Sequence, residues 1–317
     1  MTLRTWHLLA PVVVVALSAL GQTATAEDEL SMAQQEGVTW ILDGDRAVLR
    51  YRADDDVPMK PYADQLFTPK GVQILRNAPA DHKHHHGLMF AVKVDGVNYW
   101  EELEGKSGKQ VHKEYADASN ATEGVDRAGF VETLEWMAPN SDQPQLLEER
   151  QVQVAKTADL GATLVLWQTR LQTPPGKDSV SLTGTHYHGL GMRFLESMDK
   201  DGRFFNADDN AGEVVKNTEK LTATKWCAYT AKVNGKPVTV ALFDAPKNVR
   251  HPAKMFTMTA PFAYLSATRG EWKEPLVAKT GQPLELRYGV ALWDGEVDKA
   301  TVEKVYQQWL KLADDKN

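Results

Sequence analysis

One cysteine in 317 residues leaves Cys227 with no partner for an intrachain disulfide, so the fold must be held by core packing. A basic run is also lacking. Lys and Arg number 36 against 43 Asp and Glu, a net charge of −7, which argues against nucleic acid and anionic membrane surfaces as partners. After the N-terminal stretch no apolar run approaches the roughly 20 residues that a spanning helix needs, so no integral membrane association is expected of the processed chain. Gly-x-Ser-x-Gly, Walker, dinucleotide and His-Glu-x-x-His motifs are missing, which leaves serine hydrolase, NTPase, dehydrogenase and zincin chemistry without support.

The N-terminus itself has the layout of a secretory signal. Arg4 is followed by an apolar stretch from Leu8 to Gly21 and by the small-residue site Ala24-Thr25-Ala26. Cleavage there would remove residues 1–26 and send residues 27–317 to the periplasm or outside the cell. That mature part is expected to form a single domain.

Period-two alternation dominates the mature part. Leu284, Leu286, Tyr288, Val290 and Leu292 share one face of a strand, with Glu285, Arg287, Gly289 and Ala291 on the other. Further strands are expected over Ala47–Arg52, Leu88–Val94, Gly129–Met137, Leu147–Lys156, Thr163–Gln172, Ser179–Tyr187 and Val238–Phe243. Asp43-Gly44, Asp95-Gly96 and Asn234-Gly235 are hairpin turns, because such pairs accept positive φ. The polar stretch from Gly105 to Arg127 is expected to be a surface loop. Helical spacing occurs only at the end, in Val302, Val305, Tyr306, Trp309 and Ala313, with Asp298 as cap; the helix should run over about 298–313. Many closely spaced strands and one closing helix predict an all-β fold, a large antiparallel β-sandwich with a short C-terminal α-helix.

The histidines cluster. Four lie in Asp81-His82-Lys83-His84-His85-His86-Gly87-Leu88 and two in Thr185-His186-Tyr187-His188-Gly189-Leu190-Gly191. Imidazole suits proton transfer near neutral pH, and on an extended strand His-x-His points both rings to one face. His84, His85 and His188 are therefore candidate catalytic groups. His84, His86, His186 and His188 are candidate ligands for a divalent metal, copper or zinc, although no diagnostically spaced Asp, Glu or Cys completes a set. If the second pair sat on a regular strand, its face would continue into Leu190, Met192 and Phe194, and Arg193 would lie opposite. Grouping Arg193 with His188 needs a bulge, which Gly189 and Gly191 permit. Trp100 followed by Glu101 and Glu102 offers an aromatic platform beside acids. Asp244, Asn248 and Arg250 occupy a polar, proline-bearing loop of the kind that binds ligands. His112 and His251 stand apart and read as ordinary hydrogen-bonded histidines.

These motifs, with Trp226-Cys227-Ala228-Tyr229, Phe243-Asp244-Ala245-Pro246-Lys247-Asn248-Val249-Arg250-His251-Pro252 and Leu286-Arg287-Tyr288-Gly289-Val290-Ala291-Leu292-Trp293-Asp294-Gly295, resemble the PmoA-like family of exported bacterial proteins over about Pro61 to Gly295. The family pattern has Pro and Arg where this chain has Lys83 and His86, and His where it has Ala245. A role inherited through that arginine or late histidine does not transfer. The pattern also resembles, more loosely, galactose-mutarotase-like super-sandwiches, whose concave face binds sugar with His and Glu as acid and base. The convergence of polar motifs on one β scaffold, together with export, points to a small-molecule or glycan ligand, with Trp100 stacking on a sugar face and Arg193, Asp244, Asn248 and Arg250 as its other binding residues. A His-ligated metal protein and a non-catalytic envelope protein are the alternatives.

Overall fold

The computed structural model describes residues 29–53, 59–122, 125–156 and 160–314. The expected signal segment, residues 1–26, lies outside the described residues.

Two large antiparallel sheets face one another across a shared apolar core, as the alternation predicts. The first has ten strands. Its middle is Leu88–Ala91, Gly189–Arg193, Tyr264–Thr268 and Lys254–Met258, in that order. The second has a nine-strand composition centred on Trp226–Val233, Lys236–Asp244, Leu284–Asp294 and Thr163–Gln172. Rings meet between the layers: Tyr51 packs 4.9 Å from Phe130, and Phe194 stacks 5.2 Å from Tyr229. A smaller four-stranded sheet, which includes Lys93–Val94, Val97–Asn98 and Ser179–Thr183, takes over where Leu88–Ala91 ends.

The hairpins form where positive φ was expected. Asp95 and Gly96 sit at φ 47° and 86°, Asn234 and Gly235 at 49° and 85°. The helix runs from Lys299 to Asp314, and Asp298 caps it by accepting from the Thr301 backbone N–H at 2.8 Å. Val302, Val305, Tyr306, Trp309 and Leu312 form its buried stripe against the outer face of the second sheet, where Trp226, Phe243, Ala291 and Trp293 complete a second apolar cluster. The approach is close enough that a Cβ on Gly289 would lie 2.7 Å from Trp309 Nε1.

Two expectations fail for local reasons. The stretch from Gly105 to Arg127 is not a loop throughout: Lys109–Asp117 is a strand and Val125–Met137 begins within it. Lys109–Asp117 is an edge strand with mostly exposed side chains, so it carries almost no apolar alternation to betray it. The strand expected over Ser179–Tyr187 stops at Thr183. Residues 184–188 turn instead, with the His188 N–H donating to Thr185 O at 3.3 Å.

Candidate functional site

Alternation on the middle strands of the first sheet separates two faces. Leu190, Met192, Leu265 and Ala267 point to the intersheet core, whereas the cross-strand pairs Arg193–Tyr264 and Met258–Tyr264 point to the other face. On that other face lies a cleft of about 300 Å³. Its lining combines the aromatic Phe256, Phe262 and Tyr264 with the polar His84, His85 and Glu101.

The loop His82–His86 reaches the cleft because of Gly87. This residue sits at φ 64°, and a Cβ there would come within 2.4 Å of Ala63 O. Its carbonyl accepts from the Arg193 N–H at 2.8 Å, which ties the histidine loop to the strand that carries Arg193. His85 then stacks on His82 at 4.8 Å, meets His84 edge-on at 4.7 Å, and lies 5.3 Å from Tyr264 and 5.6 Å from Phe262. Burial lowers the pKa of His85 to about 2, helped by His84 and His82, and that of His84 to about 4, helped by Lys60. Both rings are neutral at neutral pH, and each offers one donor and one acceptor nitrogen.

His86 does not share a face with His84. The loop is not an extended strand, so the period-two expectation has no basis there. The His86 ring stacks on Tyr62 at 4.3 Å, and its nitrogens lie 2.8 Å from Asn77 Oδ1 and 2.9 Å from Glu102 Oε1. The same Glu102 oxygen accepts from the fully buried Lys60 ammonium at 2.6 Å. His186 and His188 also diverge. His186 faces Glu219 at 3.1 Å, whereas His188, almost completely buried, stacks 4.8 Å from Trp100 with the rings 13° apart. Burial lowers the His188 pKa to about 3. Among the described residues no three His, Cys, Asp or Glu side chains form a group able to hold a metal ion. The metal set His84, His86, His186 and His188 is thus dispersed by the two turns that carry it.

Arg193 comes close to the histidines without lining the cleft. Its guanidinium lies 3.3 Å from the Phe262 ring centroid and 3.6 Å from Asp81. His188 lies on the turn that precedes the strand, which begins at Gly189, so that turn and not a bulge sets where His188 sits relative to Arg193. Trp100 is fully covered, 6.3 Å from His85 and from Tyr264, so it cannot be the open platform expected of it; it backs the cleft instead.

The late loop is elsewhere. Buried Asp244 accepts from Asn248 Nδ2 at 2.7 Å and from the Ala253 N–H at 2.7 Å, faces His251 Nδ1 at 2.8 Å, and pairs with Arg269. Its oxygens are spoken for by the fold, and Asn248 is tied to the Arg287 carbonyl as well. Arg250 donates to Glu274 O at 2.6 Å and Pro275 O at 3.1 Å, clamping a surface loop. Asp244, Asn248 and Arg250 therefore do not join the histidine cleft: a polar sequence here reports a hydrogen-bonded corner. A wider groove of about 530 Å³ crosses the outer face of the second sheet beside the helix, lined in part by Gln151, Gln168 and Arg287, and it contains no histidine.

Phe256, Phe262, Tyr264 and Lys60 were not singled out from sequence. Alternation along Tyr264–Thr268 could have placed Tyr264 on the Arg193 face; nothing local marks Phe262 or Lys60.

A concentration of unpartnered polar atoms marks the same neighbourhood. His85 Nδ1, Trp100 Nε1, His188 Nδ1, Arg193 Nε and Nη1, and the Tyr264 hydroxyl are all buried and make no hydrogen bond within the protein. Such groups are rare in folded proteins because each costs about 1–3 kcal/mol.

Residues 39–307 match the model of a family of unknown function, DUF6807. The chain belongs to this family. The PmoA-like label is a finer statement than that match makes. No curated protein matches this DUF6807 chain. Solved structures similar to it include a glycoside hydrolase family 97 enzyme from Pseudoalteromonas sp. strain K8, at 10% identity and TM-score 0.48, covering 78% of this chain and 34% of that one. An alpha-galactosidase from Lactobacillus brevis is 5% identical at TM-score 0.49, covering 88% and 42%. A protein described as a mutarotase, from Salmonella typhimurium, is 11% identical at TM-score 0.39, covering 87% and 96%. The DUF6807 chain spans about a third of the family 97 enzyme and two fifths of the galactosidase. Matches this distant assign no activity.

Proposed function

We propose that this is an exported carbohydrate-active protein that holds a sugar in the histidine cleft. The observation that carries this reading is the composition of one concave face: it is lined together by Phe256, Phe262 and Tyr264, by neutral imidazoles and by the Glu101 carboxylate, and it is backed by buried polar atoms that lack protein partners. Sugar rings have apolar faces that pack on aromatic surfaces, and hydroxyls that both donate and accept. A neutral His84 or His85 meets either requirement, whereas an imidazolium could only donate.

The same groups suit proton transfer at a sugar carbon or glycosidic oxygen. His84, partly exposed at the cleft edge, is the candidate proton acceptor, and Glu101 is the candidate partner; its Oε2 accepts from Asn98 Nδ2 at 3.2 Å. His85 acts as the fixed hydrogen-bonding floor, and a pKa of about 2 makes it a weak base. The periplasm or the extracellular space supplies glycans, in keeping with the signal expected over residues 1–26.

The test is calorimetric titration of the processed protein against a broad oligosaccharide panel, with chromatographic analysis of products. Binding that disappears in His85→Ala supports the proposal. No binding and no turnover across the panel overturns it.

A further inference from the structure

Resting on the carbohydrate reading of this cleft, we propose that the sugar it takes is carboxylated, a uronate, with its carboxylate paired to Arg193.

The first support is an excess of donors. Of the buried atoms without partners around the cleft, Arg193 Nε, Arg193 Nη1 and Trp100 Nε1 can only donate. His85 Nδ1, His188 Nδ1 and the Tyr264 hydroxyl can take either role. The neighbouring carboxylates already have partners: Glu102 has Lys60 and His86, Glu219 has His186, Glu101 has Asn98, and Asp81 has His82 at 3.0 Å. A ligand that completes this environment must therefore bring acceptors.

The second support is the state of Arg193 itself. Its side chain is 2% exposed; of its two acidic neighbours, Asp81 lies 3.6 Å away, beyond hydrogen-bond distance and 48% exposed, and Asp199 is already engaged by the Ala263 N–H at 2.8 Å. A buried guanidinium that neither neighbouring carboxylate grips, with Nε and Nη1 unpartnered, is costly unless something else pairs with it. Carboxylate is the natural complement, because its two oxygens match the guanidinium fork. Hydroxyls of a neutral sugar would satisfy the N–H groups and leave the charge uncompensated.

The third support is position. Phe262 stacks on this guanidinium and also lines the cleft, so one aromatic ring stands between the cation and the ligand space. Swinging that ring aside exchanges a cation–π contact for charge-assisted hydrogen bonds.

The experiment is calorimetry of the wild-type protein with oligogalacturonate, with the neutral galacto-oligosaccharide of equal length, and with acetate. The uronate should bind at least about tenfold more tightly than its neutral counterpart, and acetate should bind far more weakly than either. In Arg193→Gln the two sugars should bind within about twofold of each other. Arg193→Lys keeps the buried cation and protects the fold, yet it should also lose most of the preference because an ammonium cannot form the fork. Equal wild-type affinity for both sugars overturns the inference and leaves the carbohydrate reading standing. Acetate binding as tightly as the uronate overturns it in favour of a simple anion site. Binding of neither sugar class, across panels, overturns the carbohydrate reading itself.

Discussion

Acidification from pH 7 to pH 5 should destabilise this protein through His85 and His188. Burial holds their folded-state pKa values at about 2 and about 3, far below the ordinary 6.5 that the unfolded chain regains. As pH falls through 6.5 the unfolded chain takes up a proton on each ring, and the folded chain does not. Stability is therefore greatest above 6.5 and is lost progressively as pH drops toward the folded values. At pH 5 the difference for each ring is about 1.5 pH units, or about 2 kcal/mol, giving a ceiling of about 4 kcal/mol for the pair. Both rings are almost fully covered, so solvent screening subtracts little. His84 and His86, also lowered chiefly by burial, act in the same direction. Asp199 and Glu271, raised by burial, oppose it near the acidic end of the window. Urea unfolding at pH 7, 6 and 5 measures the effect, with His188→Gln as the reference. The wild type should lose about 2 kcal/mol more than the variant over that range. Parallel pH curves for the two proteins would refute the reasoning.

Two substitutions separate the cleft from the scaffold. Gly87→Ala forces a Cβ into positive φ and to 2.4 Å from Ala63 O, so thermal unfolding should report a loss of about 2 kcal/mol or more, and sugar binding should weaken with it; an unchanged melting temperature would count against the described loop. Asp244→Asn leaves Arg269 buried without its anion and should cost about 3–5 kcal/mol by denaturant titration, while the folded fraction keeps its ligand affinity. Loss of binding at unchanged stability would instead place Asp244 in the ligand site.

Much of the scaffold is legible in sequence because strands that border a core must carry regular apolar residues, and Thr163–Gln172 begins and ends where expected even though its first half is buried on both faces. Turns demanding positive φ are equally plain. Lys109–Asp117 is hidden because this edge strand turns mainly polar side chains, Gln110 and His112, toward the protein, so its inward face shows no apolar alternation. The site was half visible. His84 and His85 stand out by their density in the chain, but whether they share a face depends on a loop whose shape is set by Gly87 against Ala63, a contact between distant segments. Asp244, Asn248 and Arg250 are polar for an internal reason, since a buried carboxylate there organises a corner of the fold. Phe262 matters only because tertiary packing sets it on Arg193, more than sixty residues earlier in the chain.

The most direct measurement is a crystal structure of the protein with a sugar that binds it in titration. The sugar should lie against Phe262 and Tyr264, within about 3 Å of a nitrogen of His84 or His85. A sugar found instead in the groove by Gln151, Gln168 and Arg287, with the histidine cleft unchanged, would contradict the account.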